Sequence, residues 1–429
     1  MANDHAYPAH LAEFTRTRWP ANAKPLPAQH LLEEIVSTAY QATLLREEER
    51  PVSFRLIVCD PLDLPADHGP PKGLHRLVFD HPRPFSKHEL RRLSPAATYH
   101  RSLIGVRIAD DGTGPRVEIW GIVHSGPRWL QDAQGGKKSI DNLPRVPVIR
   151  AAAPGRLAVA CGLETIAELR GGRLTDHALD VFESQWLRKR FTAVRAEVER
   201  LHTEARERST HKWATLDPSF TGRMAQKMMK RIIAMIRSAH HGGTLLFLPM
   251  EVPRSEIEKN LHIKYAFADD AARTRYRQII LKAMERVAIA ASETNCVTWE
   301  AFESSKAPEA GIFDEALSEL AHLVASFANA DGAVVLTKRF ELVGFGAEIV
   351  GELPETFSVE RARDLEGDKT TSESVEGVGT RHRSSYRFCQ RFHEAIAVVV
   401  SQDGTVRFVA HKDGKLTYWD HVSPGSADV

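Results

Sequence analysis

The sequence predicts an α/β protein, with a mixed β-sheet flanked by helices in its C-terminal half, preceded by a β-rich α+β domain and a linking helix. Three observations predict it. Residues 52–174 read as short β-rich runs split by turn signals, and residues 185–209 carry a single helical stripe. Residues 220–421 alternate helix-period with strand-period segments, which bury best as a sheet covered by helices. A chain of 429 residues also exceeds one ordinary core, so the expected division is a domain over 1–182, a charged connecting helix over 183–219 and a second domain over 220–424.

Each element follows in order. Residues 1–50 read as a proline-rich arm (Pro8, Pro20, Pro25, Pro27) and a helix from His30 to Arg50. Strands are expected at Phe54–Cys59, Leu103–Ile108, Val117–Val123 and Leu157–Cys161, with turns at Asp111-Gly112 and Gly135-Gly136. Leu163–Leu169 reads as a short closing helix. In Gln185–Ser209 the apolar residues Leu187, Phe191, Val194, Val198, Leu201 and Ala205 step by 4, 3, 4, 3 and 4, the stripe of a helix-pairing face. A helix packed on its own domain and self-association through this stripe both fit that pattern.

The second domain opens with a helix whose stripe is Met224, Met228, Ile232 and Met235-Ile236, read as core, and it stops at His240-His241-Gly242-Gly243. A buried strand Thr244–Leu248 follows, then helices Arg273–Ala291 and Phe313–Phe327. Strands Ala333–Leu336 and Glu341–Gly344 precede an acidic, Ser/Thr-rich insertion, Glu352–Gly377, expected as a mobile loop. A helix near Ser384–Phe392 and strands Ala395–Val400, Thr405–Ala410 and Leu416–Trp419 end the domain.

Composition excludes several classes. A net charge of +1 carries no footprint for bulk nucleic-acid binding. No run approaches the ~18–20 apolar residues of a membrane span, and the first 30 residues lack an apolar leader core, so a cytoplasmic location is expected. Cys59, Cys161, Cys296 and Cys389 are scattered without a CxxC pair, so reduced thiols are expected. The histidines show no zinc spacing.

Two short segments carry chemistry. Gly379-Thr380-Arg381-His382-Arg383 leads into a helix: a glycine that permits close backbone approach, then a hydroxyl, two guanidinium groups and an imidazole. With the helix N-terminal amides added, this reads as an anion site, most simply for phosphate, and on this segment alone a solvated basic turn fits equally well. Asp331-Gly332-Ala333 stands at the start of a strand, where an Asp-Gly pair alone is commonly just a turn. Beside a phosphate cradle, a carboxylate there can hold Mg²⁺ or Mn²⁺ and bring a hydroxyl nucleophile to a phosphoryl group.

Asp331-Gly332-Ala333 on a strand, followed by Gly379–Arg383 opening a helix, resembles the motif pair of the DisA-type diadenylate cyclase domain. The surrounding text, "GTRHRSSYRFCQRFHEAIAVVVSQDGTVRFV" and "HHGGTLLFLP", is similar to that family's helix, strand and hairpin and to its glycine-led first strand. The resemblance implies that two ATP condense to cyclic di-AMP, on domains that self-associate face to face. It implies that Asp331 binds the metal and helps activate a ribose hydroxyl, and that Gly332 and Ala333 let the nucleotide lie against the backbone. Gly379 and Thr380 would contact the substrate with Ser401, while Arg381, His382 and Arg383 would hold the triphosphate and stabilise its charge. Two features depart from the pattern: the insertion lengthens the spacing, and Ser401-Gln402-Asp403 stands where many members carry acidic residues.

The N-terminal half resembles the probable sensor domain DACNV in "GVRIADDGTGPRVEIWGIV" and "PGRLAVACGLETIAEL". That implies a regulated enzyme with an unidentified ligand at its N-terminal domain, where a scaffold or dimerisation domain is the alternative. A catalytically silent nucleotide-binding module on the same fold is the rival reading. The intact Asp331 favours catalysis, because binding alone needs no metal carboxylate.

Overall fold

Apolar runs too short to cover themselves must find partner strands, and here they build two large sheets. The computed structural model describes residues 5–64, 74–99, 101–110, 112, 114–125, 143–162, 164–175, 180–239, 241–250, 252–268, 270–304, 308–350, 356–402 and 404–421. The expected turn at Gly135-Gly136, residue Asp111, His240, the start of the insertion (352–355) and Asp403 lie outside the described residues. The described residues cluster into two units that divide between residues 178 and 179.

The first unit holds α1 (Pro8–Arg18), α2 (Gln29–Thr43), the short pair β1 (Arg46–Glu47) and β2 (Arg50–Pro51), β3 (Phe54–Val58), β4 (Leu74–Pro84), α3 (Lys87–Leu93), β5 (Ser102–Asp110), β6 (Pro115–Ser125), β7 (Pro147–Ala153), β8 (Arg156–Cys161), β9 (Glu164–Arg170) and β10 (Arg173–Thr175). Eight strands form one sheet in the order β10-β9-β8-β7-β3-β5-β6-β4. α2 buries Leu31, Leu32, Ile35, Val36 and Ala39 against one face, the helical period of a core-facing stripe. On the other face Trp120 fills a smaller core and donates its indole N–H to the Cys59 carbonyl at 2.9 Å.

The second unit holds α4 (Gln185–Arg190), α5 (Thr192–Arg208), β11 (Thr215–Leu216), α6 (Phe220–Ser238), β12 (Gly243–Leu248), α7 (Arg254–Asn260), β13 (Leu261–Ala266), α8 (Asp270–Ala290), β14 (Cys296–Val297), α9 (Trp299–Ser304), α10 (Pro308–Phe327), β15 (Ala333–Thr337), β16 (Leu342–Ile349), β17 (Ser358–Ala362), β18 (Thr370–Ser374), α11 (Thr380–Arg391), β19 (Ile396–Val400), β20 (Val406–Lys412) and β21 (Lys415–His421). Its nine-stranded mixed sheet runs β13-β16-β15-β12-β19-β20-β21-β17-β18. Helices α6, α8 and α10 cover one face, and α11 packs on the other. All six residues of β12 are buried, as expected of a central strand with helices on both sides. The mixed α/β fold predicted for this half is the one observed.

Five expectations are corrected. The proline-rich arm contains α1, because Pro8 sits at the first helical turn, where its missing N–H costs nothing. The helix expected to Arg50 stops at Thr43, and Glu48 and Glu49 take positive φ to turn β1 into β2. The segment read as a closing helix over Leu163–Leu169 is a strand in its described residues: Glu164–Arg170 pairs with β8 and β10, and Glu168 is buried against Arg156 at 2.7 Å. A short apolar run is ambiguous by period alone, and the partner strands decided it.

The stripe over 185–209 breaks at Phe191 (φ −110, ψ 9) into two helices. Leu187, Phe191 and Val198 turn inward to their own unit, and Ala205 is exposed. The insertion is no loop over its described part. β17 and β18 pair, and β17 runs parallel to β21. Val359 and Ala362 are buried, the Asp364 carboxylate accepts from the Asp368 and Lys369 amides, and Arg361 pairs with Asp420 at 3.1 Å. Two further carboxylates of the segment have cationic partners: Asp368 lies 2.7 Å from Lys412 Nζ and Glu373 3.4 Å from Arg361. All four cysteines are free; Cys296 is exposed and the other three are buried. Among the described residues no helix is long and apolar enough to cross a membrane.

One ion cluster joins helices on the α6 side. Arg231, 1% exposed, donates to the carboxylate and the carbonyl of Asp314, and Lys227 Nζ lies 3.1 Å from the same carboxylate. Burial alone would raise the Asp314 pKa; Lys227 and Arg231 outweigh it and hold the carboxyl below its ordinary value. A folded pKa below the unfolded one gives stability that is present above about pH 4 and lost as pH falls through the folded value. Asp314→Asn is therefore expected to cost about 3 kcal/mol at pH 7, since it takes the carboxylate from two buried cations. Urea unfolding at pH 7 and at pH 3 checks this, and the gap between variant and wild type should shrink at the lower pH.

Candidate functional site

Four chain segments reach one end of the larger sheet. β12 and β15 run parallel, with Leu245 opposite Val334, so both begin there. β19 runs antiparallel to β12, with Gly243 opposite Val400, so it finishes there. α11 starts there as well, because Arg381 Nη1 donates to the His241 carbonyl at 3.1 Å. The structure thus brings Asp331, Gly332 and Ala333, the Gly379–Arg383 segment and Ser401 to the same end.

Each motif residue has a local reason for its place. Gly332 has φ +105, and a Cβ there would stand 2.6 Å from the Gly346 carbonyl carbon. Only glycine lets β15 start this close to β16. Ala333, its neighbour, is buried and begins the strand. Gly379 is different: φ is −60, and a Cβ there would meet nothing within 4 Å. Nothing in its own packing demands a glycine, so the space beside it is open to a ligand. Gly379 caps α11 without a side-chain hydrogen bond; the His382 and Arg383 amides turn back to its carbonyl at 3.1 and 3.2 Å, which leaves the Thr380 and Arg381 amides and the positive dipole end at the helix start. Thr380, Arg381 and Arg383 are exposed around that end, and His382 is half-buried. Ser401 opens the β19–β20 turn, its amide donating to the Thr405 carbonyl at 2.8 Å.

α11 is fixed from beneath by a polar network that reaches the insertion. Tyr386, one turn after His382, accepts from Arg407 Nη1 at 2.9 Å, and Arg407 Nε donates to Asp420 at 3.0 Å. Arg361 of β17 shares Asp420, and Glu373 of β18 accepts from the Tyr418 hydroxyl at 2.5 Å. Burial pushes the Tyr418 pKa up, and that hydrogen bond adds to it.

Asp331 is exposed in the bend that leads into β15. Lys264 of the edge strand β13 lies within its field; Glu348, 3.0 Å from Lys264 Nζ, is the main cause of a raised Lys264 pKa, and Asp331 adds to it. Among the described residues no three His, Cys, Asp or Glu side chains gather as a metal cage. With Glu348 engaged by Lys264, the donor set among the described residues is one carboxylate, that of Asp331. That fits Mg²⁺ or Mn²⁺, which are commonly bound through one or two carboxylates together with substrate phosphates and water.

Sequence reasoning missed Lys264 and Glu348, because β13 was not read as a strand and its register with β16 could not be drawn. It also passed over Thr244. That hydroxyl is buried with no hydrogen-bond partner among the described residues, on the face of β12 that Leu246 and Leu248 turn toward α11. A polar residue inside the run Gly243–Leu248 was the available signal.

Residues 21–124 match the family model of DACNV, a probable sensor domain, so the first unit carries a DACNV-like domain. No curated protein matches the chain. Among solved structures, a double mutant of DacA from Staphylococcus aureus is similar over 47% of this chain and 90% of that one, with 13% identity and a TM-score of 0.23. A TM-score of that size does not establish a shared fold.

The two glycines should respond to alanine to different degrees. Gly332→Ala is expected to cost more than about 2 kcal/mol, from a strained φ and a backbone clash. Gly379→Ala should cost under about 1 kcal/mol. Denaturant midpoints of the two variants against wild type check both values.

Proposed function

We propose that the chain is a diadenylate cyclase that condenses two ATP into cyclic di-AMP and releases pyrophosphate, under the control of its N-terminal domain. The observation that carries this reading is the meeting of Asp331-Gly332-Ala333 with Gly379–Arg383 at one sheet end, beside an uncapped helix start. In each half-reaction a ribose 3′-hydroxyl forms a bond to the α-phosphorus of the other ATP. The bond from that phosphorus to pyrophosphate breaks, and the hydroxyl proton leaves to solvent.

The residues take roles set by their chemistry. Asp331 would hold Mg²⁺ or Mn²⁺, whose charge, when bound, offsets that of the phosphates. Arg381 and Arg383 grip phosphate oxygens as planar forks, and His382 and Thr380 add donors. Gly379 and the α11 amides take the remaining oxygens at close range. Gly332 and Ala333 present backbone to the nucleoside, and Ser401 adds a hydroxyl. Each nucleotide's hydroxyl attacks the other's phosphate, so a working centre takes two copies face to face.

Purified full-length chain incubated with ATP and either Mg²⁺ or Mn²⁺ should yield cyclic di-AMP on chromatography. Asp331→Asn should lower the rate about 100- to 1000-fold, as loss of one charge stabiliser does. ATP bound without product from wild type, with both metals, would leave the binding-module reading in place. Product persisting in Asp331→Asn would remove Asp331 from the chemistry.

A further inference from the structure

The end of the sheet opposite the motifs is clamped by the segment that leads out of the N-terminal unit in sequence. Arg190, the last residue of α4, donates to the carbonyls of His393 at 2.8 Å and of His411, and its guanidinium lies 2.8 Å from the Glu394 carboxylate. His393 and Glu394 form the link from α11 into β19, at the far end of the helix that begins with Gly379–Arg383. Lys338, 6% exposed in the β15–β16 turn, reaches the same Glu394 at 3.4 Å.

Seven residues on, in α5, Glu197 bonds Arg339 Nε at 2.7 Å and Arg277 of α8 at 3.3 Å. Arg339 lies in the turn that ends β15, the strand begun by Asp331-Gly332-Ala333. The next residue, Phe340, has φ +58 although it is not glycine, and it is held among Phe191, Phe247 and Tyr276. A strained residue persists only where its surroundings over-determine it.

Apolar packing does little to fix α5. Val198 is its one buried residue, and an open cleft lies between α6 and the α4–α5 junction, lined by Phe191, Arg195, Ala225 and Met229. The polar anchors set its place.

We infer that Arg190 and Glu197 are positioning residues for the proposed cyclase site: they lock the far ends of α11 and β15 so that Gly379–Arg383 and Asp331 keep their mutual geometry. The inference rests on the cyclase reading for its consequence in turnover, and it gives a route by which a change upstream of residue 185 reaches both motifs. Elements held rigid at one end carry a displacement to the other.

The test uses the full chain as Arg190→Lys, Glu197→Gln and the double variant. Hydrogen–deuterium exchange should rise several-fold at residues 379–385 and 331–334, at the opposite end of the sheet from the substitutions. Turnover should fall about 10- to 100-fold, the scale of a small misplacement of reacting groups, with KM for ATP little changed. The double variant should lose no more turnover than the worse single one, because both residues act on one geometry. Exchange rising only around 338–341 and 391–395, or turnover losses that multiply, would overturn the inference and leave two local anchors. No cyclic di-AMP from wild type, with exchange still responding at 379–385, would instead remove the cyclase reading and keep the mechanical link.

Discussion

The parallel pairing of β12 with β15 governs the rest of the larger unit. Parallel neighbours need a crossover, and α7, β13, α8 and α10 fill it, so the two strands begin at the same end. That one constraint puts the His241–Gly243 turn next to Asp331. The antiparallel return of β19 then brings Ser401 back to the same place. α11, lying on the opposite face from α6, α8 and α10, has only to begin there for the whole constellation to meet, and Arg381 fixes that beginning on the His241 carbonyl.

Support for the site comes from polar contacts as much as from apolar burial. Beneath α11, Arg407 bridges Tyr386 and Asp420, and Arg361 and Glu373 tie the inserted hairpin into the same network. Partly buried charges of this kind add little net stability, yet they fix geometry, because each lost partner leaves a desolvated group behind. At the far end Arg190 and Glu197 serve the same purpose. A helix bonded at one end and buttressed at its middle has little freedom to rotate its first turn.

Much of this was legible in the sequence, for physical reasons that differ by element. The buried strands Gly243–Leu248 and Ile396–Val400 announce themselves as apolar runs bounded by turn residues, and the stripe of Met224, Met228 and Ile232 has a clear helical period. Asp331 and Gly379–Arg383 were legible because donors and a carboxylate are dense there. What the sequence could not carry was decided by partners distant in the chain. Glu164–Arg170 is a strand because β8 and β10 flank it, and Ser358–Ser374 is a hairpin because β21 offers an edge and Asp420 a counter-charge. Lys264 and Glu348 meet only through the register of β13 with β16, which no local pattern encodes. The break at Phe191 is likewise tertiary, since the heptad stripe runs through it unaltered.

The proposed cyclase needs Asp331 and the start of α11 to act as one nucleotide-phosphate site. A crystal structure of the full chain with Mn²⁺ and a non-hydrolysable ATP analogue decides this. An anomalous manganese peak is expected at the Asp331 carboxylate, with the triphosphate against Gly379–Arg383. Nucleotide bound elsewhere, or manganese remote from Asp331, would contradict it.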